Sequence, residues 1–104
     1  MNTLRFALIQ LDLIWESVEE NLKQAENSIK DIRKPFDVVV LPEMFTTGFS
    51  ISNPQRFTND AEKTVSWMKG IAKELSVAVC GSIIVEDGGK IFNRLIFVTE
   101  DSIE

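Results

Sequence analysis

The sequence predicts an α/β fold with its elements in the order β-α-β-α-β-β. Three observations carry that prediction. Apolar residues gather in short runs rich in β-branched side chains, Asp37-Val38-Val39-Val40-Leu41 and Val77 to Val85, which is the composition of strands in a covered sheet. Between the runs, apolar residues recur every three or four positions, the period of a helix with one buried face. Lastly, two apolar runs are joined through Glu86-Asp87-Gly88-Gly89-Lys90, a hairpin signal that ends the alternation of strand and helix with an antiparallel pair.

Each element has its own warrant. Leu4 to Gln10 is apolar except for Arg5 and Gln10, and its length and spacing predict a strand buried on both faces. Ser17-Val18-Glu19-Glu20 has the form of a capping box, in which a hydroxyl and a carboxylate satisfy the first free N–H groups of a helix. Behind it, Val18, Leu22, Ala25, Ile29 and Ile32 form one face, with Glu19, Lys23, Glu26 and Lys30 towards water, and Lys34-Pro35 ends the helix. Pro42 stops the ladder of the second strand. Residues 43–57 lack a period and contain Gly48 and Pro54, so they read as a long loop. A second helix is expected from about Asp60 to Leu75, with Ala61, Val65, Met68, Ala72 and Leu75 inward. The third strand is Val77–Val85 and the fourth Ile91–Val98.

A length of 104 residues bounds the chain to no more than one small domain. It can bury roughly 65% of its surface, enough for a modest core. Its 44% hydrophobic and 26% charged content excludes a disordered chain, a collagen-like repeat and a disulfide scaffold. The net charge of -5 comes with no basic stripe, which argues against nucleic acid as a partner. Histidine is absent, so no Ser-His-Asp triad, Cys-His pair or His-ligated metal site can be assembled from these residues. The single cysteine, Cys80, leaves no internal disulfide or multi-thiolate site and fits a reducing, cytoplasmic setting. The apolar run after Met1 is short and stopped by Asp12, unlike a secretory signal. No run approaches the ~20 residues that span a bilayer.

Glu43 is the leading candidate for chemistry. It follows the second strand in Leu41-Pro42-Glu43, and ligands of open α/β sheets bind beyond the carboxyl ends of strands. Beside Met44, Phe45 and Phe49 its carboxylate is expected to be partly desolvated, which suits a general base. The bland alternative is a loop carboxylate that caps backbone or pairs with a lysine. Cys80 lies between Val77-Ala78-Val79 and Ile83-Ile84 and is expected to be a buried, inert core thiol. Thr46-Thr47-Gly48 reads as turn chemistry. Trp15 and Trp67 read as packing residues. Asn93, among Ile91, Phe92, Leu95 and Ile96, is expected to be a buried amide that ties a neighbouring loop. Lys90 and Arg94 read as solvated.

The run Leu41-Pro42-Glu43-Met44-Phe45-Thr46-Thr47-Gly48-Phe49 resembles the nitrilase, or carbon-nitrogen hydrolase, superfamily. The same resemblance extends to the opening strand ending in Gln10-Leu11-Asp12, to Gly81-Ser82-Ile83-Ile84, and to Asn93-Arg94-Leu95-Ile96-Phe97-Val98. It spans all 104 residues, is that of an N-terminal part, and looks nearest to the omega-amidases of 2-oxo acid amides. The resemblance implies an α-β-β-α sandwich and a Glu-Lys-Cys triad. Glu43 matches the glutamate, the general base towards the cysteine thiol. The thiolate attacks the amide carbon, ammonia leaves, and water hydrolyses the thioester while the lysine steadies the oxyanion. It also implies no cofactor, no metal and a homo-oligomer. Neither Lys90 nor Cys80 stands in the matching lysine or cysteine motif, so the chain is expected to be the leading piece of such an enzyme and inactive alone.

Two other readings compete. A receiver-like or flavodoxin-like binding module would place Asp12 and Glu43 at strand ends, but the closing hairpin opposes it, since those folds keep alternating strand and helix. A non-catalytic interaction subunit could complete its sheet on a partner chain through an apolar fourth strand.

Overall fold

The computed structural model describes residues 3–49 and 54–104. Its elements are β1 (Phe6–Leu8), α1 (Val18–Lys30), β2 (Val38–Val40), a 3-10 helix (Pro54–Asp60), α2 (Ala61–Leu75), β3 (Ala78–Asp87) and β4 (Lys90–Val98). The expected order is present, with the 3-10 turn added inside the segment read as loop. The four strands form one sheet in the order β1-β2-β3-β4. β1, β2 and β3 run parallel, and β4 returns antiparallel to β3. Gly88 and Gly89 both have positive φ, 60° and 78°, the two-residue turn geometry that matches the twist of a hairpin and that glycine adopts without strain.

Both helices pack on one face of the sheet. Leu22, Ala25 and Ile29 of α1 and Met68, Ile71 and Ala72 of α2 meet Val39, Val79, Ile83, Ile96 and Val98 in one core. Thr64 shares the buried face of α2, while Ala61, Val65 and Leu75 flank it half-buried. Phe45 is wholly buried in the same core, its ring 5.9 Å from that of Trp67. Gly81 makes that possible: a Cβ there would lie 3.0 Å from the Phe45 ring and from Leu41 Cβ.

Three local expectations are corrected. The first strand is three residues long and is not buried on both faces: Phe6 is 57% and Leu8 76% exposed. The register shows why. Leu8, Val40, Cys80 and Phe97 form one row across the sheet, on the face opposite Ala7, Val39, Val79 and Val98, which the helices cover. Ser17 precedes α1 but makes no side-chain capping bond; Asn21, one turn further on, grips the preceding segment instead. Finally, α1 ends at Lys30, short of Lys34-Pro35, and leaves Ile32 of the expected apolar face outside it; a helical Pro35 would clash with the carbonyl four residues back, that of Asp31.

Candidate functional site

The site is built where the chain leaves β2. Leu41 still pairs with the sheet, its N–H donating to the Cys80 carbonyl at 2.8 Å. Pro42 cannot donate, so the ladder ends there. The chain then turns tightly: Met44 takes a left-handed φ of 48°, Gly48 a φ of 75°, and the N–H groups of Thr47 and Gly48 both donate to the Met44 carbonyl. A left-handed methionine is unfavourable unless its surroundings hold it. Here the Met44 N–H donates to Oγ of Ser82, on β3, at 2.8 Å.

The outer flank of the turn is held as firmly. Asn21 is fully buried, and its Nδ2 donates to the carbonyls of Ile14 (2.7 Å) and Thr46 (2.8 Å) while its Oδ1 accepts the Ile14 N–H (2.8 Å). The Glu16 N–H donates to the Thr47 carbonyl at 2.8 Å, Trp15 lies against Gly48, and Arg56 of the 3-10 helix forms an ion pair with Glu16. Thr46 and Thr47 are buried, and the Thr47 hydroxyl donates to the Gly48 carbonyl at 2.7 Å. The turn reading of this segment stands, with more burial than turn residues usually have.

Glu43 is carried on this fastened turn. Its Oε2 accepts a hydrogen bond from Nδ2 of Asn93, on β4, at 3.0 Å. With Leu41, Ser82, Asn93 and Leu95 it lines an open depression of about 290 Å³ on the sheet face that the helices leave bare. Beside it, Met44, Phe49, Ile84, Ile91, Phe92 and Asn93 line an apolar depression of about 190 Å³. The expected partial desolvation is not present: Glu43 is exposed, because its carboxylate faces the uncovered side. Asn93 is likewise exposed rather than buried, yet it ties the Glu43 turn as expected. Such an arrangement presents one carboxylate, fixed in direction, to whatever meets that face.

The other candidates lie outside this pair. Cys80 sits within β3, half-buried rather than buried, and burial pushes its thiol up, away from the thiolate. Among the described residues no hydrogen bond joins its sulfur to Glu43. Arg94 pairs with Asp87 at 2.9 Å and Lys90 is exposed. Trp67 packs on Phe45 and donates Nε1–H to Glu26 at 3.0 Å, whereas Trp15 is 59% exposed, covering Gly48 rather than the core. Sequence reasoning missed Ser82 and Asn21. A serine in a strand carries no local signal; Asn21, three residues after Val18 and four before Ala25, lies on the inward face of α1, so a buried amide there was the signal the helical period offered.

Among the described residues no group of three or more His, Cys, Asp or Glu side chains gathers as a metal site, and no helix is long and apolar enough to cross a membrane.

Comparison with known proteins gives this geometry a context. The chain is 30% identical over 101 residues to the omega-amidase YafV of Yersinia enterocolitica, covering 97% of this chain and 39% of that protein. It is 33% identical over 95 residues to the 2-oxoglutaramate amidase of Bacillus subtilis, covering 89% and 37%. It thus spans under two fifths of the length of these curated relatives. The crystal structure of a CN-hydrolase superfamily protein from Xanthomonas campestris, with an arsenic adduct in its active site, superposes with a TM-score of 0.91 at 30% identity, over all of this chain and 40% of that one. An N-terminal amidase shares the fold, with a TM-score of 0.78 at 20% identity over 92% of this chain and 25% of that one. The family profile named Carbon-nitrogen hydrolase matches residues 5–103, so both strand-end motif and hairpin fall inside it, and the chain belongs to the carbon-nitrogen hydrolase family.

Proposed function

We propose that this chain supplies the general base of an omega-amidase-like hydrolase and that Glu43 is that base. The observation that supports this reading is the Glu43 carboxylate itself, just past a parallel strand, oriented by Asn93 in an open depression. A group in that place meets ligands bound beyond the strand ends. The substrate is a small 2-oxo acid amide such as 2-oxoglutaramate. Glu43 takes the proton of a cysteine thiol, and the thiolate adds to the amide carbon while a lysine steadies the oxyanion. The carbon–nitrogen bond then breaks, Glu43 returns the proton to the departing ammonia, and a thioester remains. Glu43 next deprotonates a water, which opens the thioester to the free acid and the thiol. The lysine and cysteine belong to polypeptide beyond Glu104, and residues 1–104 are the N-terminal portion of one hydrolase domain; the length of the relatives supports this. The whole enzyme is a cytoplasmic homo-oligomer that needs no cofactor or metal and engages neither nucleic acid nor membrane.

Ammonia release tests the reading. In the full-length protein Glu43→Gln is expected to preserve the fold and lower the rate at least ~100-fold, since general acid–base contributions reach 10²–10⁴. Comparable rates for the two would remove Glu43 from the mechanism. The 104-residue chain alone is expected to release no ammonia; activity from it would overturn the partial-domain reading.

One observation favours a second reading, a non-catalytic module that associates through its sheet: Phe6, Leu8, Leu95 and Phe97 are exposed on the uncovered face. A full-length protein that hydrolyses no amide would favour it.

A further inference from the structure

Glu43 and Asn93 are 50 residues apart in sequence and lie on either side of β3 in the sheet. Glu43 follows β2, Asn93 belongs to β4, and the turn passes over Ser82 of β3, whose hydroxyl accepts the Met44 N–H. In the hairpin register Asn93 pairs with Ile84, and Ser82 with Leu95, so Ser82 and Asn93 stand on the same face of neighbouring strands. The hairpin therefore grips the turn at two points, one on the main chain beside Glu43 and one on the carboxylate. Among the described residues Asn93 is the one hydrogen-bond partner of that carboxylate. The hairpin's cations, Lys90 and Arg94, alternate onto the opposite face from Asn93, and Arg94 is bonded to Asp87.

We infer that Asn93 is a positioning residue, holding Oε2 of Glu43 so that Oε1 is the oxygen presented to the proton it removes. The inference rests on Glu43 being the base, as proposed above. A glutamate has three rotatable bonds, and fixing it unaided costs side-chain entropy. Asn93 is short, sits on a paired strand, and donates a single bond that selects one orientation. Its neutrality is also apt. An arginine or lysine there would fix the carboxylate equally well, but by stabilising its charged form strongly it would weaken it as a base. Glu43 is the one titratable side chain among the residues lining the depression, so a charge introduced at position 93 acts on it alone there.

Steady-state kinetics on the full-length protein test this, with Asn93→Leu, Asn93→Asp and Glu43→Gln assayed side by side. Asn93→Leu is expected to lower kcat about 10- to 100-fold with KM changed by less than about threefold, the signature of lost orientation. Asn93→Asp places a second carboxylate within hydrogen-bond reach, so the pair retains a proton to higher pH. The acid limb of its kcat/KM profile is therefore expected to move to higher pH, which a purely structural role for Asn93 would not produce. The Asn93 side-chain amide resonance is expected to move in Glu43→Gln, in which the carboxylate that accepts its bond is lost; an unmoved resonance would overturn the positioning role. If Glu43→Gln is inactive while Asn93→Leu keeps the parent kcat and the Asn93→Asp profile is unmoved, the positioning role is overturned and the base assignment survives. If Glu43→Gln is active, the base assignment falls, and the positioning role with it.

Discussion

Asn21 spends all three of its side-chain bonds on two stretches of backbone, Ile14 and Thr46. Replacing it with leucine, which is similar in volume, would leave the buried Thr46 carbonyl and the part-buried N–H and carbonyl of Ile14 without their partner. Unsatisfied buried groups cost about 1–3 kcal/mol each, less where the backbone relaxes. Asn21→Leu is therefore expected to destabilise the protein by roughly 2–4 kcal/mol. In urea denaturation it should show as a lower midpoint at an unchanged slope. An unchanged midpoint would mean that the turn is held chiefly by Ser82 and the Glu16–Arg56 pair. At this scale the sequence was least legible. Glu43 stands out because a proline and an apolar strand precede it, a purely local pattern. Asn21, Ser82 and Asn93 gain their meaning from partners 25, 38 and 50 residues away.

Between elements, two carboxylates act as ties. Glu26 on α1 accepts bonds from Lys30 (3.0 Å) and from Trp67 of α2 (3.0 Å), and Lys30 also reaches Glu74 of α2 at 3.4 Å. The Lys30 bond, then the Trp67 bond, holds the Glu26 carboxyl below its ordinary value. Asp37, at the start of β2, is held down first by the Arg5 backbone N–H and then by the Arg5 side chain. Both carboxyls have folded values below their unfolded ones. Their contribution is therefore fully present above the unfolded carboxylate range, about pH 4, and is lost as pH falls through the lower folded values. Solvent screening keeps the contribution small. Stability from these ties is expected to hold from neutrality down to about pH 4 and to fall below that; the double variant Glu26→Gln, Asp37→Asn should flatten the acid slope of the melting temperature. An identical slope would show the ties to be neutral. The element order itself was legible, since helix period, β-branched runs and Asp-Gly-Gly each have local causes. The 3-10 helix was not, because Pro54–Asp60 has too few residues for a period to emerge.

Taken as a whole, the molecule has a covered and a bare side. The bare row runs Leu8, Val40, Cys80, Phe97 across all four strands, with Leu95 two residues before Phe97 on β4. Exposed apolar surface of this kind binds apolar dyes and promotes association. The 104-residue chain is expected to enhance the fluorescence of such a dye, and Leu8→Lys with Leu95→Lys to reduce the enhancement severalfold. An equal signal from the two would place the binding elsewhere. Here the sequence misleads for a definite reason. Apolar content reports what a strand is suited to pack against, and Leu4 to Gln10 is suited to cover on both faces. It does not report whether the cover lies within the same 104 residues.

The Gly88-Gly89 turn has a consequence for the order of assembly. β3 and β4 are adjacent in sequence, and Asp87 pairs with Lys90 across the turn, so the hairpin closes with little loss of chain entropy. β1 and β2 meet only after a 32-residue separation has been bridged, as between Arg5 and Asp37, and parallel pairings of that kind are intrinsically slow. Ser82 and Asn93 are thus expected to come into register early, before β2 arrives. On that order the turn that bears Glu43 docks onto a hairpin already formed, and the geometry of the carboxylate is an inheritance from the last strand pair, through Ser82 and Asn93, rather than from the strand that carries it.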